Sequence, residues 1–133
     1  NMKGWSKVNE LGFLSEKEIN KVFNNSKLGI ATLHPTKTYL PSIPVKIFEY
    51  MAAGLPIICS NFDFWNELIF RNYKCAVQVN PLSSLEIADA VEHLIYNEND
   101  CKKMIKEGTR AIKETFNWKI EEKKLYDIYN SLK

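Results

Sequence analysis

The sequence predicts an α/β fold in which a parallel sheet of about four strands is covered by helices and followed by a helical C-terminal segment. Three observations support this prediction. Short apolar runs of strand type alternate with amphipathic helical stretches over residues 8–96. Two Ser-x-x-Glu capping boxes, at Ser15 and Ser83, mark where helices start. The last third of the chain has helical periodicity alone.

The first elements in the chain alternate strand, helix and strand before a loop. A short apolar run predicts a strand over 8–12, and the capping box at Ser15 opens a helix that extends to about residue 25. A second apolar run predicts a strand over 27–33. Residues 34–43 are polar and contain prolines, so they are predicted to form a loop.

The segment after this loop combines a helix, a stop and a buried strand. Pro44 has a fixed φ and no amide hydrogen, which suits the first turn of a helix. Gly54 suits the left-handed residue that ends a helix, and Pro56 prevents the helix from continuing. A helix is therefore predicted over 44–54 and a buried strand over 56–60. A helical wheel puts five residues on its apolar face: Val45, Phe48, Met51, Ala52 and Leu55.

The second half of the chain carries one more strand and four helices. Asn61 or Asp63 caps the first of these helices, and residues 76–79 are predicted to form the fourth strand. Ser83 opens a helix with amphipathic spacing. Because the chain contains no linker, repeat or low-complexity tract, a single domain is predicted. The last two helices are predicted over 98–116 and 118–132.

Composition limits the classes of function. The chain has 133 residues and a net charge of +2, which is too small to indicate nucleic-acid binding. No apolar run approaches the roughly 18 residues that a membrane span needs, and the N-terminus lacks the pattern of a signal peptide. Three cysteines without a C-x-x-C pair indicate neither a zinc site nor a disulfide framework, so a cytoplasmic location is expected. Cys59 and Cys75 lie in apolar runs and are predicted to be core thiols.

Two charged side chains on the helix over 44–54 are the main site candidates, because ligands of parallel α/β sheets bind at the carboxyl ends of the strands. Lys46 would lie near an anion at the start of this helix, and Glu49 could accept hydrogen bonds from a ribose diol. The same spacing fits a surface i, i+3 ion pair. His34 follows a predicted strand, where it is either a binding group or a hydrogen-bonded loop residue. No catalytic Ser-His-Asp set, metal-ligand spacing or G-x-G-x-x-G motif is present.

The sequence of residues 48–58, FEYMAAGLPII, resembles the E-A-M-A-x-G-x-P-V-I segment of GT-B glycosyltransferases, particularly glycosyltransferase family 4. Residues 8–15 resemble the segment before the first helix, and residues 26–31 resemble the strand that leads to the donor loop. Residues 79–82 resemble the v-x-P-x-d turn, and residues 116–118 resemble the f-s-W signature. The resemblance implies a Rossmann-like domain, the nucleotide-sugar-binding C-terminal half of a retaining, metal-independent transferase.

This resemblance implies a donor-binding site. Glu49 matches the acid that typically holds the donor ribose, and the backbone from Ser42 to Val45 matches the loop whose amides approach the donor diphosphate. Gly12 and Phe13 match a loop near the nucleotide base. The resemblance implies no metal or cofactor, since a nucleotide-diphosphate sugar is the donor substrate. The predicted donor-binding residues are Glu49, Lys46, Ser42, Ile43, Val45, Gly12, Phe13 and His34.

The chain departs from the family pattern in two ways. The first acid of the family's frequent E-x7-E pair would fall at Pro41, so one donor-sugar contact is expected to be missing and Lys46 to reorganise the site. The 133 residues also show no segment that resembles the acceptor domain or the first two strands of the donor domain, so both are expected to be missing from this chain. Residues 1–133 are therefore interpreted as a single truncated donor domain that does not transfer sugar alone. Its P-x-K-x-F-E-Y pattern resembles bacterial surface-polysaccharide transferases, which implies the inner face of the plasma membrane and at most peripheral membrane contact.

Two other functions remain open. The chain could be a non-catalytic interaction or dimerisation module, or a fragment like the nucleotide-sugar 2-epimerases, although their acid-and-histidine catalytic set is not visible. The missing strands leave an apolar sheet edge, so either the strand over 8–12 pairs with the strand over 27–33 or the edge pairs with another copy. The expected partners are a nucleotide sugar and either an acceptor domain or a second copy of the chain.

Overall fold

The computed structural model describes residues 3–132. Within these residues three parallel strands, Gly29–Ala31 (β1), Ile57–Ser60 (β2) and Ala76–Val79 (β3), form a sheet in the order β1–β2–β3. This arrangement confirms the α/β fold with a parallel sheet and corrects the number of strands from about four to three. Because the strands are parallel, their carboxyl ends lie along one edge of the sheet.

The helices begin and end close to the predicted residues. The capping box at Ser15 is present, and the Ser83 hydroxyl accepts a hydrogen bond from the Glu86 amide, so both predicted helix starts are confirmed. The third helix continues as a π-helical turn over Asn66–Phe70, and a short 3-10 helix spans Trp5–Lys7. The α-helices span Glu16–Asn24 (α1), Val45–Ala52 (α2), Asp63–Trp65 (α3), Ser84–Tyr96 (α4), Glu98–Glu114 (α5) and Trp118–Ser131 (α6).

The predicted strand over 8–12 is wrong, because these residues are exposed and lie outside the helices and strands. A strand needs a hydrogen-bonding neighbour, and the outer edge of β1 is covered by Tyr50. The Tyr50 hydroxyl donates to the carbonyl oxygen of Ile30 at 3.4 Å. The Tyr50 ring lies against Gly29, where any side chain would overlap it. The expected pairing between residues 8–12 and β1 therefore does not form.

The predicted apolar face of α2 is partly wrong. Ile47 and Met51, one turn apart, are its buried residues, whereas the Val45 side chain is 68% exposed and Ala52 is also exposed. The helix also begins one residue later than predicted, because Pro44 is its N-cap and has extended backbone angles. Ile47 therefore faces the core, and the face of α2 that carries Val45 and Ala52 lies in solvent.

The end of α2 follows the prediction. Gly54 has a φ of 70°, the left-handed conformation that a glycine adopts without strain. The Gly54 amide donates to the Met51 carbonyl at 3.2 Å, and the Leu55 amide donates to the Tyr50 carbonyl at 2.9 Å. This pair of bonds is a Schellman motif, which satisfies the last carbonyls of the helix and turns the chain into β2.

Alternate residues of β2 build two hydrophobic cores, one on each face of the sheet. Ile57 and Cys59 belong to the larger core, with residues of α2, α3 and α5. Ile58 belongs to the smaller core, with residues of α4 and α5. The helices therefore cover both faces, as predicted. Burial of Cys59 and Cys75 confirms that both are core thiols, and it raises the pKa of both, that of Cys75 to about 11.

The last helix, α6, lies at the surface. No residue of α6 is buried. No helix within residues 3–132 is both long enough and apolar enough to cross a membrane. Five large side chains at the C-terminal end of α6 are exposed despite being apolar or aromatic: Leu125, Tyr126, Ile128, Tyr129 and Leu132.

We expect Gly29→Ala to destabilise the fold, because a Cβ at this position would overlap the ring of Tyr50. Moving the ring away from the sheet edge should cost roughly 1–3 kcal/mol. Urea unfolding followed by circular dichroism measures the change. Gly4→Ala is the control, because a Cβ there meets nothing within 4 Å and its φ of −85° suits any residue. Equal unfolding free energies for the two variants would contradict the proposed role of Tyr50 at the edge.

Candidate functional site

The loop over residues 34–43 connects the carboxyl end of β1 to the start of α2, and it is ordered by its own hydrogen bonds. The Thr36 amide donates to the His34 carbonyl at 2.8 Å, and the Leu40 amide donates to the Thr36 carbonyl at 3.0 Å. Nearer to α2, the Ser42 hydroxyl donates to the Thr38 carbonyl at 2.9 Å. These bonds form consecutive turns that bring the chain to the first turn of α2.

The first turn of α2 presents free backbone donors. The Ile47 amide donates to the Pro44 carbonyl at 3.1 Å. Within residues 3–132, the amides of Ile43, Val45 and Lys46 donate to no acceptor of the chain. Unpaired amides at a helix start, together with the helix dipole, favour an anion at this position. The Lys46 side chain is exposed in the same turn and adds a positive charge.

A cavity of about 220 Å³ lies between α1 and α2, next to this first turn. Lys46 and Glu49 contribute its charged side chains, and both are exposed. Among the ion pairs within residues 3–132, none joins Lys46 to Glu49. The surface ion pair that the spacing also permits is therefore not formed. The rest of the wall is Leu14, Ile19, Val22, Phe23 and Tyr50.

Glu49 also lines a second cavity of about 390 Å³, as do Ile19 and Phe23. Glu16, Asn20 and Ala53 line the second cavity, which lies further along α2. The Glu49 carboxylate can therefore be reached from both sides by a ligand in the groove between the two helices. The side facing Lys46 combines a cation, an anion and an apolar wall, and is the better candidate for a ligand with a phosphate and a sugar.

Sequence reasoning missed Tyr50 as a member of the site, together with the four apolar residues of the wall. The Tyr50 hydroxyl reaches Ile30, and the Tyr50 ring makes an edge contact with Phe23 at a centroid distance of 5.8 Å. Burial raises the pKa of Tyr50, and the charge of Glu49 raises it further. The phenol therefore stays protonated at neutral pH and keeps its hydrogen bond to the Ile30 carbonyl. The sequence signal for this role is only its position next to Glu49.

The structure brings together some of the predicted site residues and not others. Residues 42–46 lie at the start of α2, and Glu49 follows one turn later. Gly12 and Phe13 are exposed and do not line the cavity, although the next residue, Leu14, does. Gly12 has a φ of 65°, so the chain turns sharply before Leu14. His34 is exposed at the start of the loop and outside the cavity.

The described part of the chain, residues 3–132, contains no group of three or more His, Cys, Asp or Glu side chains that could hold a metal ion. The charged groups of the candidate site are one lysine and one glutamate, and a single carboxylate is a poor basis for a metal centre. The site is suited instead to charge pairing and hydrogen bonding of a ligand.

Comparison with known sequences identifies the family. The family described as "Glycosyl transferases group 1" matches residues 1–111, most of the 133-residue chain. The chain belongs to the group 1 glycosyltransferases. The family resemblance noted in the FEYMAAGLPII segment is thereby confirmed.

Individual relatives agree with this assignment. Chitobiosyldiphosphodolichol beta-mannosyltransferase from Kluyveromyces lactis is 30% identical over 97 residues, which are 72% of this chain and 20% of that protein. Sucrose-phosphate synthase from Thermosynechococcus elongatus matches 96% of this chain and 30% of its own, with a TM-score of 0.79 and 16% identity. The second likeness shows the fold alone, a Rossmann-like part of a GT-B structure. This chain spans 20% and 30% of the lengths of these two proteins.

We expect the first turn of α2 to bind inorganic pyrophosphate, with the largest amide chemical-shift changes at Val45 and Lys46. Replacing Lys46 with alanine should weaken this binding about tenfold, because it removes one charge-assisted bond of about 1.4 kcal/mol. An NMR titration measures both effects. Lys119→Ala removes an exposed lysine of α6 and is the matched control. Shift changes spread over many surface lysines, with equal affinities for both variants, would contradict an anion site at α2.

Proposed function

We propose that this chain is the nucleotide-sugar-binding part of a glycosyltransferase that uses no metal and retains the configuration of the transferred sugar. Membership of the group 1 glycosyltransferases supports this proposal. The observation that carries it is the arrangement of Lys46 and Glu49, which line one cavity beside the start of α2 and, within residues 3–132, do not pair with each other. Both charges are therefore available to a ligand.

Each part of a nucleotide-diphosphate sugar has a suitable counterpart in this groove. The diphosphate would meet the amides of Val45 and Lys46 and the Lys46 ammonium group. Glu49, one turn further along, would accept hydrogen bonds from the ribose hydroxyls, and Tyr50 would form part of the cavity wall beside it. The base would lie against the apolar wall formed by Leu14, Ile19 and Phe23.

Transfer of the sugar is proposed to need an acceptor-binding domain, so that this chain binds a donor but does not transfer sugar by itself. The charged groups that line the cavity are one lysine and one glutamate. A leaving nucleoside diphosphate develops negative charge that one lysine and the free amides of a helix stabilise only in part. The acceptor-binding domain would contribute the remaining contacts and bring the sugar acceptor to the donor.

The proposed setting is bacterial surface-polysaccharide synthesis in the cytoplasm, at the inner face of the plasma membrane. The support is the P-x-K-x-F-E-Y pattern from Pro44 to Tyr50, which resembles that of bacterial transferases of this kind. The matched mannosyltransferase is a eukaryotic protein and does not bear on this setting. Contact with the membrane would be peripheral at most.

Calorimetric titration with UDP and GDP tests the proposal. One of the two nucleotides should bind in a saturable manner, and Glu49→Ala should weaken its binding about tenfold, through the loss of a charge-assisted hydrogen bond of about 1.5 kcal/mol. The 2′-deoxy form of the same nucleotide gives a sharper test. The unmodified chain should prefer the ribonucleotide, and Glu49→Ala should lose that preference, because the lost bond is made to the ribose hydroxyls.

Glu92→Ala is the matched control, since it removes an exposed carboxylate of α4, away from the groove. It should bind nucleotides as the unmodified chain does. Absence of binding of either nucleotide at millimolar concentration would contradict a donor site in this chain. Binding that Glu49→Ala leaves unchanged would place the nucleotide elsewhere.

A second function, a non-catalytic interaction module that forms a homodimer, is favoured by one observation. The C-terminal end of α6 exposes five large apolar or aromatic side chains, and exposed apolar patches mark interaction surfaces. Size-exclusion chromatography with light scattering distinguishes the two functions. A dimer that binds no nucleotide would support the module, whereas a monomer at high concentration that binds UDP or GDP would contradict it.

A further inference from the structure

We propose that Ser60 and Trp65 are positioning residues that clamp the two ends of the loop over residues 34–43 and so hold it in the conformation that receives the donor diphosphate. This inference rests on the proposed function. Ser60 is the last residue of β2, and Trp65 is the last residue of α3. Both side chains are fully buried, and each makes a hydrogen bond to the backbone beside or within the loop.

Ser60 fixes the first end of the loop. Its hydroxyl accepts from the Leu33 amide at 2.8 Å and donates to the Leu33 carbonyl at 2.8 Å. The backbone ladder between β1 and β2 reaches only from Gly29 to Ala31. The Ser60 side chain therefore continues the pairing by hydrogen bonds after the two backbones have separated. His34, the first residue of the loop, leaves the sheet from this fixed point.

Trp65 fixes the second end of the loop. Its indole Nε1–H donates to the Ser42 carbonyl at 2.5 Å. The Trp65 ring makes an edge contact with the ring of Phe62, which is also buried, at a centroid distance of 4.9 Å. Because the ring is held by core packing, the position of its donor is fixed by the core rather than by the loop. The loop is thus attached to the rigid part of the molecule just before α2.

The bond from Trp65 also orients the donors at the start of α2. In a trans peptide, the carbonyl and the following amide point in opposite directions. Fixing the Ser42 carbonyl on Trp65 therefore directs the Ile43 amide away from the core. Within residues 3–132 this amide has no acceptor in the chain. The clamp thus sets the direction of one free donor and the starting point of the helix that carries Lys46 and Glu49.

The clamp explains how the site is held by elements that contribute no residue to its cavity. Ser60 lies 27 residues after Leu33 in the chain, and Trp65 lies 23 residues after Ser42. One attachment comes from the last residue of the central strand, and the other comes from the short helix that follows it. The loop itself has only short-range turn bonds between these two attachments. Loss of either attachment should leave the turns intact but free the loop to move relative to the groove.

Two variants test the clamp. Ser60→Ala removes the hydroxyl, and Trp65→Phe removes the indole donor while keeping an aromatic ring. Amide hydrogen exchange over residues 34–43 should become at least tenfold faster in each variant. The dissociation constant for the nucleoside diphosphate should rise about threefold to tenfold, whereas that for the nucleoside alone should not change. A general loss of stability would weaken the binding of the nucleoside diphosphate and of the nucleoside alike, so it would not produce this difference between them.

Two control variants remove comparable interactions away from the loop. Tyr73→Phe removes the hydroxyl that bonds to Thr115 at 2.5 Å, and Ile69→Val trims a buried side chain in the same core as Trp65. Both should lower the melting temperature without changing exchange in the loop. If Trp65→Phe does not fold, the comparison of Ser60→Ala with its Tyr73→Phe control tests the proposal at the first attachment. Unchanged loop exchange in Ser60→Ala then overturns the proposal.

Each outcome has a defined meaning. Unchanged loop exchange in Ser60→Ala and Trp65→Phe would overturn the clamp. Faster exchange with unchanged diphosphate affinity would overturn its role in donor binding, while leaving the proposed function intact. If the unmodified chain binds neither UDP nor GDP, the proposed function fails, and exchange alone decides whether the clamp exists. Faster exchange together with a selective loss of diphosphate affinity would support both.

Discussion

The central strand, β2, is hydrogen-bonded to a neighbour on each edge, and all four of its residues are buried. Its side chains alternate between the two cores, so one short strand holds together the helices on both faces of the sheet. The only polar residue of the strand is Ser60, and its hydroxyl is satisfied by Leu33. A buried hydroxyl without these bonds would be costly, so the strand and the loop after β1 stabilise each other.

The arrangement of α2 shows how the core sets the site. Ile47 and Met51 face inward, and α2 packs against the sheet and α5 through them. Because residues on a helix repeat every 3.6 positions, fixing these two residues inward turns Lys46 and Glu49 outward, toward α1. The exposed charges therefore derive their direction from apolar contacts on the opposite side of the helix. A change in core packing would rotate the site as well.

Helix α2 also protects the outer edge of β1. Tyr50 follows Glu49 and packs across Gly29, so α2 covers part of the sheet edge while it presents the site. Natural sheets protect open edges in ways of this kind. The contact couples the two features, because the ring that covers the edge also forms part of the cavity wall. Tyr50 therefore both covers the sheet edge and forms part of the wall of the candidate site.

The sequence by itself determined the local features: the helix starts at Ser15 and Ser83, the left-handed Gly54, three of the four predicted strands and the family of the chain. These local features depend on residues that are close together in the chain, because capping bonds, backbone angles and hydrophobic periodicity are each encoded within a short segment. The tertiary structure decided that residues 8–12 form no strand, that Ile47 rather than Val45 is buried, that Tyr50 lines the site, and that Ser60 and Trp65 attach the loop beside it. Those outcomes depend on contacts between residues 20 or more positions apart, and short-range sequence patterns do not encode which distant groups meet.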